Sequence, residues 1–256
     1  MMDIPANPIH FVGAGPGDPE LITVRGQRLL AEADLVVYAG SLVPKPLIMG
    51  LGAEIRDSAP LHLDEIIDLM TAAWQAGKRV VRLHTGDPSI YGAIKEQMAA
   101  LDDRKIPYRV VPGVSSVTAA AAALHAELTL PEVSQTVIIT RRAGRTPVPE
   151  RQELASLAGH GATMLILLSV GMIREVVADL LAGGYPAETP VAVVEKVSWP
   201  EQQIIRATLA TIAQEVETAG ISKTAIIAVG RVFAELPPEA LSRLYDKDFS
   251  HGCRQA

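Results

Sequence analysis

Apolar and polar positions follow two rhythms along this chain. Short runs dominated by Val, Ile and Leu, at Ile9–Val12, Leu35–Tyr38, Val80–His84 and Tyr108–Val111, read as buried strands. The stretches between them carry the helical period. Around Asp64–Trp74, Leu63, Ile66, Ile67, Met70 and Trp74 recur at i, i+3, i+4, i+7 and i+11, forming one apolar stripe. Gly77 is placed to close that helix. Strands alternating with helices predict an α/β domain with a largely parallel sheet. The rhythm breaks at Leu128-Thr129-Leu130-Pro131-Glu132-Val133-Ser134. It restarts in Val137–Thr140, Met164–Ser169, Val191–Lys196, Ile204–Ala207 and Ala225–Val229. The chain therefore divides into two α/β halves, 1–131 and 132–256, with no convincing repeat of one in the other. The polar stretch Pro237–Ala256 is expected to be loosely ordered.

Composition narrows the function classes. The 256 residues are 48% hydrophobic and 20% charged, enough for sizeable cores in two domains. Aromatics reach only 4%, so small aliphatics fill the interior. No apolar run attains the roughly 18 to 20 residues that span a membrane. Met1–His10 lacks the basic and apolar regions of a signal peptide. The single cysteine, Cys253, excludes an internal disulfide and fits a reducing cytoplasm. A formal charge of −6 argues against a nucleic-acid or anionic-membrane partner, though not against a local basic pocket. The six histidines are dispersed without His-x-x-x-His spacing, so no metal site is expected.

Candidate chemistry gathers just beyond the strands, where open α/β sheets hold their ligands. Val12-Gly13-Ala14-Gly15-Pro16-Gly17-Asp18-Pro19 follows the first strand. It is a poor dinucleotide fingerprint, because Pro16 removes an N–H donor and Asp18 repels a phosphate. Such a loop suits close approach without anion binding. Leu83-His84-Thr85-Gly86-Asp87-Pro88-Ser89-Ile90-Tyr91-Gly92 offers a backbone-approach glycine and a carboxylate. Val111-Pro112-Gly113-Val114-Ser115-Ser116 opens an alanine-rich helix, with Ser115 or Ser116 as its cap. Arg141, Arg142 and Arg145 crowd the start of the second half, and Lys196-Val197-Ser198-Trp199-Pro200 follows another strand. Taken singly these are ordinary: a common turn, helix punctuation, a solvated arginine face, a packed tryptophan. Their ordered recurrence at strand ends is what singles them out.

That ordered set resembles the tetrapyrrole methylases. Gly13-Ala14-Gly15-Pro16-Gly17-Asp18-Pro19 with Leu21-Ile22-Thr23 and Gly26 is similar to the family's N-terminal signature, and Ala33–Tyr38 to its next strand. Gly86-Asp87-Pro88 and Pro112-Gly113-Val114-Ser115-Ser116 are similar to its internal motifs. The likeness runs from about Ile9 to Val232. Tyr38-Ala39-Gly40-Ser41-Leu42-Val43, His84–Ile94 and Thr140–Glu150 resemble the branch that methylates C11 of precorrin-4, giving precorrin-5, in cobalamin biosynthesis. The motifs do not separate metal-free from cobalt-containing substrates.

The resemblance implies two αβα domains with parallel or mixed sheets, the class III S-adenosylmethionine-dependent methyltransferase fold, with the cofactor between the domains and a tetrapyrrole trough lined by the first. It implies a cytoplasmic homodimer. Positions matching cofactor contacts are Pro16, Thr85, Gly86, Asp87, Ile90, Ser115, Ser116, Leu168, Val197 and Thr224. Leu168 stands where the uroporphyrinogen enzymes often have methionine. The polycarboxylated substrate requires a basic lining, for which Arg141, Arg142 and Arg145 are the candidates. The sequence does not identify a catalytic base; His84, Asp87 and Glu195 are open. Two rivals make different demands. A nicotinamide oxidoreductase needs an acidic residue ending the second strand, where Val37-Tyr38-Ala39-Gly40 has none. A non-catalytic corrinoid carrier has no use for the cofactor motifs.

Overall fold

A computed structural model describes residues 7–234 and residue 250. The tail expected to be loosely ordered, 237–256, lies outside the described residues except for Ser250, as does Cys253. Backbone contacts divide the chain into two compact units. The first comprises Met1–Ala119 together with Ser198–Pro200; the second comprises Ala120–Val197 and Glu201–Ala256.

The first unit is built on β1 (Ile9–Gly13), α1 (Val24–Glu32), β2 (Leu35–Tyr38), β3 (Glu54–Asp57), α2 (Leu63–Gln75), β4 (Val80–His84), α3 (Lys95–Asp103) and β5 (Tyr108–Val111). Its five strands lie in the order β3-β2-β4-β1-β5, every pair parallel. Both faces of the three central strands are covered, so their residues read as continuous apolar runs and not as alternation. Ile9, Phe11, Leu35, Val37 and Val80 pack with Ile66, Ile67 and Met70 of α2 on one face. Val12, Val36, Val81, Leu83 and Val111 pack with Leu30 of α1 on the other. The α2 stripe is buried at Ile66, Ile67 and Met70 and half-buried at Trp74, while Leu63 in the first turn is left exposed; Gly77 takes the left-handed φ of +77° just past the helix. β3 was not foreseen. Its Glu-Ile-Arg-Asp sequence sits on the sheet edge, is mostly exposed and carries no apolar pattern.

In the second unit, β6 (Val137–Arg141), α5 (Leu154–Ala158), β7 (Thr163–Leu167), α6 (Ile173–Ala182), β8 (Pro190–Glu195), β9 (Gln203–Thr208), α7 (Ile212–Thr218) and β10 (Ala225–Val229) follow α4 (Ser116–Leu124), inside which the division falls. The sheet order is β6-β7-β10-β8-β9. Only β6 and β7 run parallel; the β7–β10, β10–β8 and β8–β9 pairs are antiparallel. Met164, Ile166, Val191, Val193, Ile227 and Val229 bury one face against Val176 and Leu180 of α6 and Ile212 and Val216 of α7. The parallel-or-mixed expectation thus resolves into one wholly parallel sheet and one mixed sheet.

Candidate active site

Parallel pairing sets the ends of β1, β4 and β5 side by side, with Gly13 in register with His84 and Val12 with Val111. The three loops that leave these ends converge. Gly15 and Gly86 exchange both backbone hydrogen bonds, 3.3 Å and 2.7 Å. A Cβ on Gly13 would lie 2.6 Å from the Gly86 carbonyl oxygen and 2.6 Å from Gly113 Cα. On Gly113 it would lie 2.1 Å from the Gly86 oxygen. Three separate loops therefore meet backbone to backbone because Gly13 and Gly113 carry no side chain where they close on the Gly86 carbonyl. Gly86 differs: its φ is +59°, and the nearest atom to a Cβ there is the Ser116 nitrogen at 3.9 Å. Glycine at 86 answers a conformational demand and leaves open space in front of it.

Asp87 ties two of these loops together. One carboxylate oxygen accepts from the Gly113 amide at 2.9 Å, and the other from the Ser89 amide at 2.8 Å and the Ser89 hydroxyl. Burial pushes its pKa up, but the Ser89 and Gly113 hydrogen bonds outweigh that and leave it below the usual value. Ser115 caps α4, its hydroxyl accepting from the Val117 amide at 3.2 Å. Thr85, Ile90, Ser115 and Ser116 are half-buried around this convergence, and Pro16 is buried.

His84 lies below the same edge. It is 4% exposed, its ring stacks on Phe11 at 6.0 Å, and its Nε2 has no hydrogen-bond partner among the described residues. Burial, with Arg82 adding to it, lowers its pKa to about 3, so the imidazole is neutral at ordinary pH. Arg82, two residues back and also 4% exposed, donates to Gln97 Oε1 at 2.9 Å and the Val37 carbonyl at 3.2 Å. Gln97 in turn donates to the Ala93 carbonyl at 2.8 Å. This buried relay braces the loop that carries Thr85–Ile90.

The glycine loop does make close approaches, and what it approaches is protein. Pro16 accepts at its carbonyl from Trp199 Nε1 at 3.0 Å, and the Asp18 amide donates to the Ser198 hydroxyl at 2.9 Å. Asp18 itself accepts from the Glu20 amide at 2.8 Å and caps a 3-10 turn; α1 begins only at Val24, capped by Thr23. No helix N-terminus opens onto the glycines, so this is no dinucleotide cradle.

In the second unit, Leu168 follows β7, Lys196 and Val197 follow β8, and Thr224 precedes β10. Antiparallel pairing of β10 with both neighbours brings these positions to one sheet edge, and the Lys196 amide donates to the Thr224 carbonyl at 2.8 Å. Leu168, Lys196 and Thr224 all adopt left-handed φ, +57°, +44° and +54°. Such conformations cost about 1–3 kcal/mol each and cluster at functional sites. Leu168 is 69% exposed, Thr224 is exposed, and Val197 is buried. Glu195 is half-buried at the end of β8.

The three arginines do not act as a cluster. Arg141 donates to the Arg142, Thr146 and Pro147 carbonyls, bracing its own loop. Arg142 is ion-paired with Asp179 at 2.7 Å, while its amide donates to Ser169. Arg145 is exposed, with no charged partner among the described residues. No group of His, Cys, Asp and Glu suited to a metal occurs among the described residues, and no helix there is long and apolar enough to cross a membrane.

The comparisons with known proteins agree with this geometry. The profile of the Tetrapyrrole (Corrin/Porphyrin) Methylases matches residues 8–213. The chain is 56% identical over 252 residues to the cobalt-precorrin-4 C(11)-methyltransferase of Methanocaldococcus jannaschii, covering 97% of this chain and 96% of that protein. It is 48% identical over 227 residues to the precorrin-4 C(11)-methyltransferase of Pseudomonas aeruginosa, covering 88% and 90%. Among solved structures, a cobalt precorrin-4 methyltransferase matches with a TM-score of 0.87 at 46% identity, over 89% of this chain and 96% of that one. Uroporphyrin-III C-methyltransferase from Thermus thermophilus, complexed with S-adenosylhomocysteine, matches with a TM-score of 0.74 at 28% identity, over 88% and 98%. With its signature residues converging at one sheet edge and these likenesses over most of its length, the chain belongs to the tetrapyrrole methylases.

Proposed function

We propose that this chain methylates C11 of precorrin-4 to give precorrin-5, with S-adenosylmethionine as donor, in cobalamin biosynthesis. The observation that carries the reading is the 48–56% identity to enzymes of that name over most of the chain. The residues fit the donor. Open space faces Gly86, beside the capped start of α4, and the exposed Leu168 side chain on strained backbone offers a flat ligand an apolar contact. Pro16, Thr85, Gly86, Asp87, Ile90, Ser115 and Ser116 of the first unit, with Leu168, Val197 and Thr224 of the second, are its assigned contacts. Val197 and Pro16 are both buried.

When bound, the donor supplies an electrophilic methyl on sulfonium. The protein's part is placement and exclusion of water. Asp87 serves that part as a brace: its oxygens are occupied by backbone and Ser89, which holds the loop in shape and leaves it a poor base. His84 is likewise a core residue, its free nitrogen buried. Of the arginines, Arg145 is the one left to meet substrate carboxylates. The homodimer and the cytoplasmic location belong to the same proposal, on the strength of the family resemblance.

A second reading concerns the substrate's metal. The relative at 56% identity carries the cobalt-precorrin-4 name, so the cobalt-containing macrocycle is the alternative substrate. Incubation with each macrocycle and methyl-labelled donor, followed by mass spectrometry and NMR of the product, decides both. Label at C11 is expected. Label on another ring carbon, or none with either macrocycle, overturns the assignment. In the same assay Arg145→Ala should raise KM for the macrocycle about tenfold, since a lost charged hydrogen bond is worth about 1.5–3 kcal/mol.

A further inference from the structure

Trp199 lies 182 residues from Gly17 in sequence, yet the glycine loop is built around it. An ideal Cβ on Gly17 would lie 2.1 Å from Trp199 Cδ1 and 2.4 Å from its Nε1. The indole therefore rests directly on the Gly17 backbone, and no other residue type fits beneath it. Three consecutive loop residues are held by two residues of the β8–β9 connection. Trp199 Nε1 donates to the Pro16 carbonyl at 3.0 Å, its ring covers Gly17, and the Ser198 hydroxyl accepts from the Asp18 amide at 2.9 Å. Ser198 keeps a left-handed φ of +65° to do this, and Pro200 biases Trp199 itself toward extended backbone. At its other end the loop is fixed by the Gly15–Gly86 pair. A Gly-Pro-Gly segment without these restraints has large conformational freedom, and a ligand that needs one conformation must offset the entropy of selecting it.

We propose that Trp199 is a positioning residue. It holds Pro16–Asp18 in the conformation that the tetrapyrrole and the methyl donor meet, and Gly17 is glycine to admit its ring. The proposal rests on the methyltransferase reading for what the loop meets, and on geometry alone for what holds it.

The test uses the full chain with Trp199→Ala, Trp199→Phe, Gly17→Ala and the Gly17→Ala/Trp199→Ala double variant. In Trp199→Ala, hydrogen exchange in peptides covering 13–22 should accelerate about tenfold or more while the β7 and β10 peptides keep their rates. KM for the macrocycle and Kd for S-adenosylhomocysteine should rise about tenfold with kcat within about threefold, the signature of lost preorganisation. Trp199→Phe, which keeps a ring on Gly17 without the donor to Pro16, should fall between. Gly17→Ala should be harmful alone and add nothing to Trp199→Ala, because the clash requires the ring. Unchanged exchange at 13–22 overturns the proposal. So does faster exchange with unaltered KM and Kd, which would leave Trp199 a packing residue only. If the unsubstituted protein turns over neither macrocycle, the methyltransferase reading fails. The exchange rates and the double-variant cycle in thermal stability then decide whether Trp199 sets the loop.

Discussion

At the ends of β1, β4 and β5 the chain brings backbone against backbone by omitting side chains at Gly13 and Gly113, which close on the Gly86 carbonyl. At the ends of β7 and β8 and the start of β10 it keeps side chains, Leu168, Lys196 and Thr224, on left-handed backbone where glycine would be easier. The two edges also bury different polar groups. The first unit buries His84 and Arg82, one without a partner and the other without a carboxylate within ion-pair distance among the described residues. The buried polar side chains described in the second unit are all hydroxyls, a type the first unit also buries at Ser58 and Thr71: Thr163 donates to the Leu128 carbonyl at 2.9 Å, and Ser169 donates to the Leu167 carbonyl at 2.7 Å. The first edge is thus a rigid backbone junction over a charged layer. The second is a strained rim that presents side chains over a neutral layer.

The contrast breaks most readily at Gly113. Its Cβ would meet the Gly86 oxygen and Gly13 Cα, both backbone, and neither can swing aside. Gly113→Ala should lose about 3 kcal/mol or more in denaturant unfolding, the upper range for overpacking. A loss below about 1 kcal/mol would mean the three loops separate freely and the junction is not rigid.

Acid should distinguish the two layers. His84 is neutral in the folded state with a pKa lowered to about 3, against about 6.5 unfolded. Between those values the unfolded chain binds the extra proton, so stability rises with pH across that window and is lost as pH falls, by up to about 1.4 kcal/mol per unit. Above about 6.5 the group has no effect. Hydrogen exchange between pH 6.5 and 4 should therefore show β4 losing protection faster than β7, and His84→Leu should remove the difference. Equal losses in both strands would place the acid sensitivity elsewhere.

The smallest effect is expected at the rim. Leu168→Gly relieves left-handed strain, partly offset by the greater freedom of unfolded glycine, about 0.4–1 kcal/mol. With the residue 69% exposed there is little packing to lose. The melting temperature should hold or rise slightly while affinity for S-adenosylhomocysteine falls severalfold. A lower melting temperature with intact affinity would make Leu168 a structural residue.

Much of the framework was legible in the residues, for a physical reason. Strands buried on both faces must be mostly apolar, so β1, β2 and β4 announce themselves, and the α2 stripe does so by its period; β5, on the other sheet edge and largely exposed, still shows through Tyr108, Val110 and Val111. β3 was silent because an exposed edge strand needs no apolar code. The antiparallel β8–β9 pair was within reach: the short connection from Glu195 to Gln203 cannot hold a parallel crossover, which needs a dozen or more residues. The motifs located the loops, but not what their groups do. Asp87 offered a carboxylate on paper and is occupied by Gly113 and Ser89; Arg142 offered a cation and is taken by Asp179, 37 residues away. Such pairings depend on tertiary neighbours that local spacing does not encode. The match of Gly17 to Trp199 is the extreme case.

Because Ser198–Pro200 belongs with the first unit, that unit is discontinuous in the chain. On the ribosome its sheet can form once β5 has emerged, yet its glycine loop stays unfinished until Pro200 follows, about 90 residues later. At roughly 5–20 residues per second this is a delay of several seconds. Throughout it the Pro16 carbonyl and the bare face of Gly17 lack their cover. A fragment ending near Ala119 would carry the same gap permanently. The natural place to cut this molecule in two is therefore not where its backbone contacts divide, and split versions of it should be joined beyond Pro200.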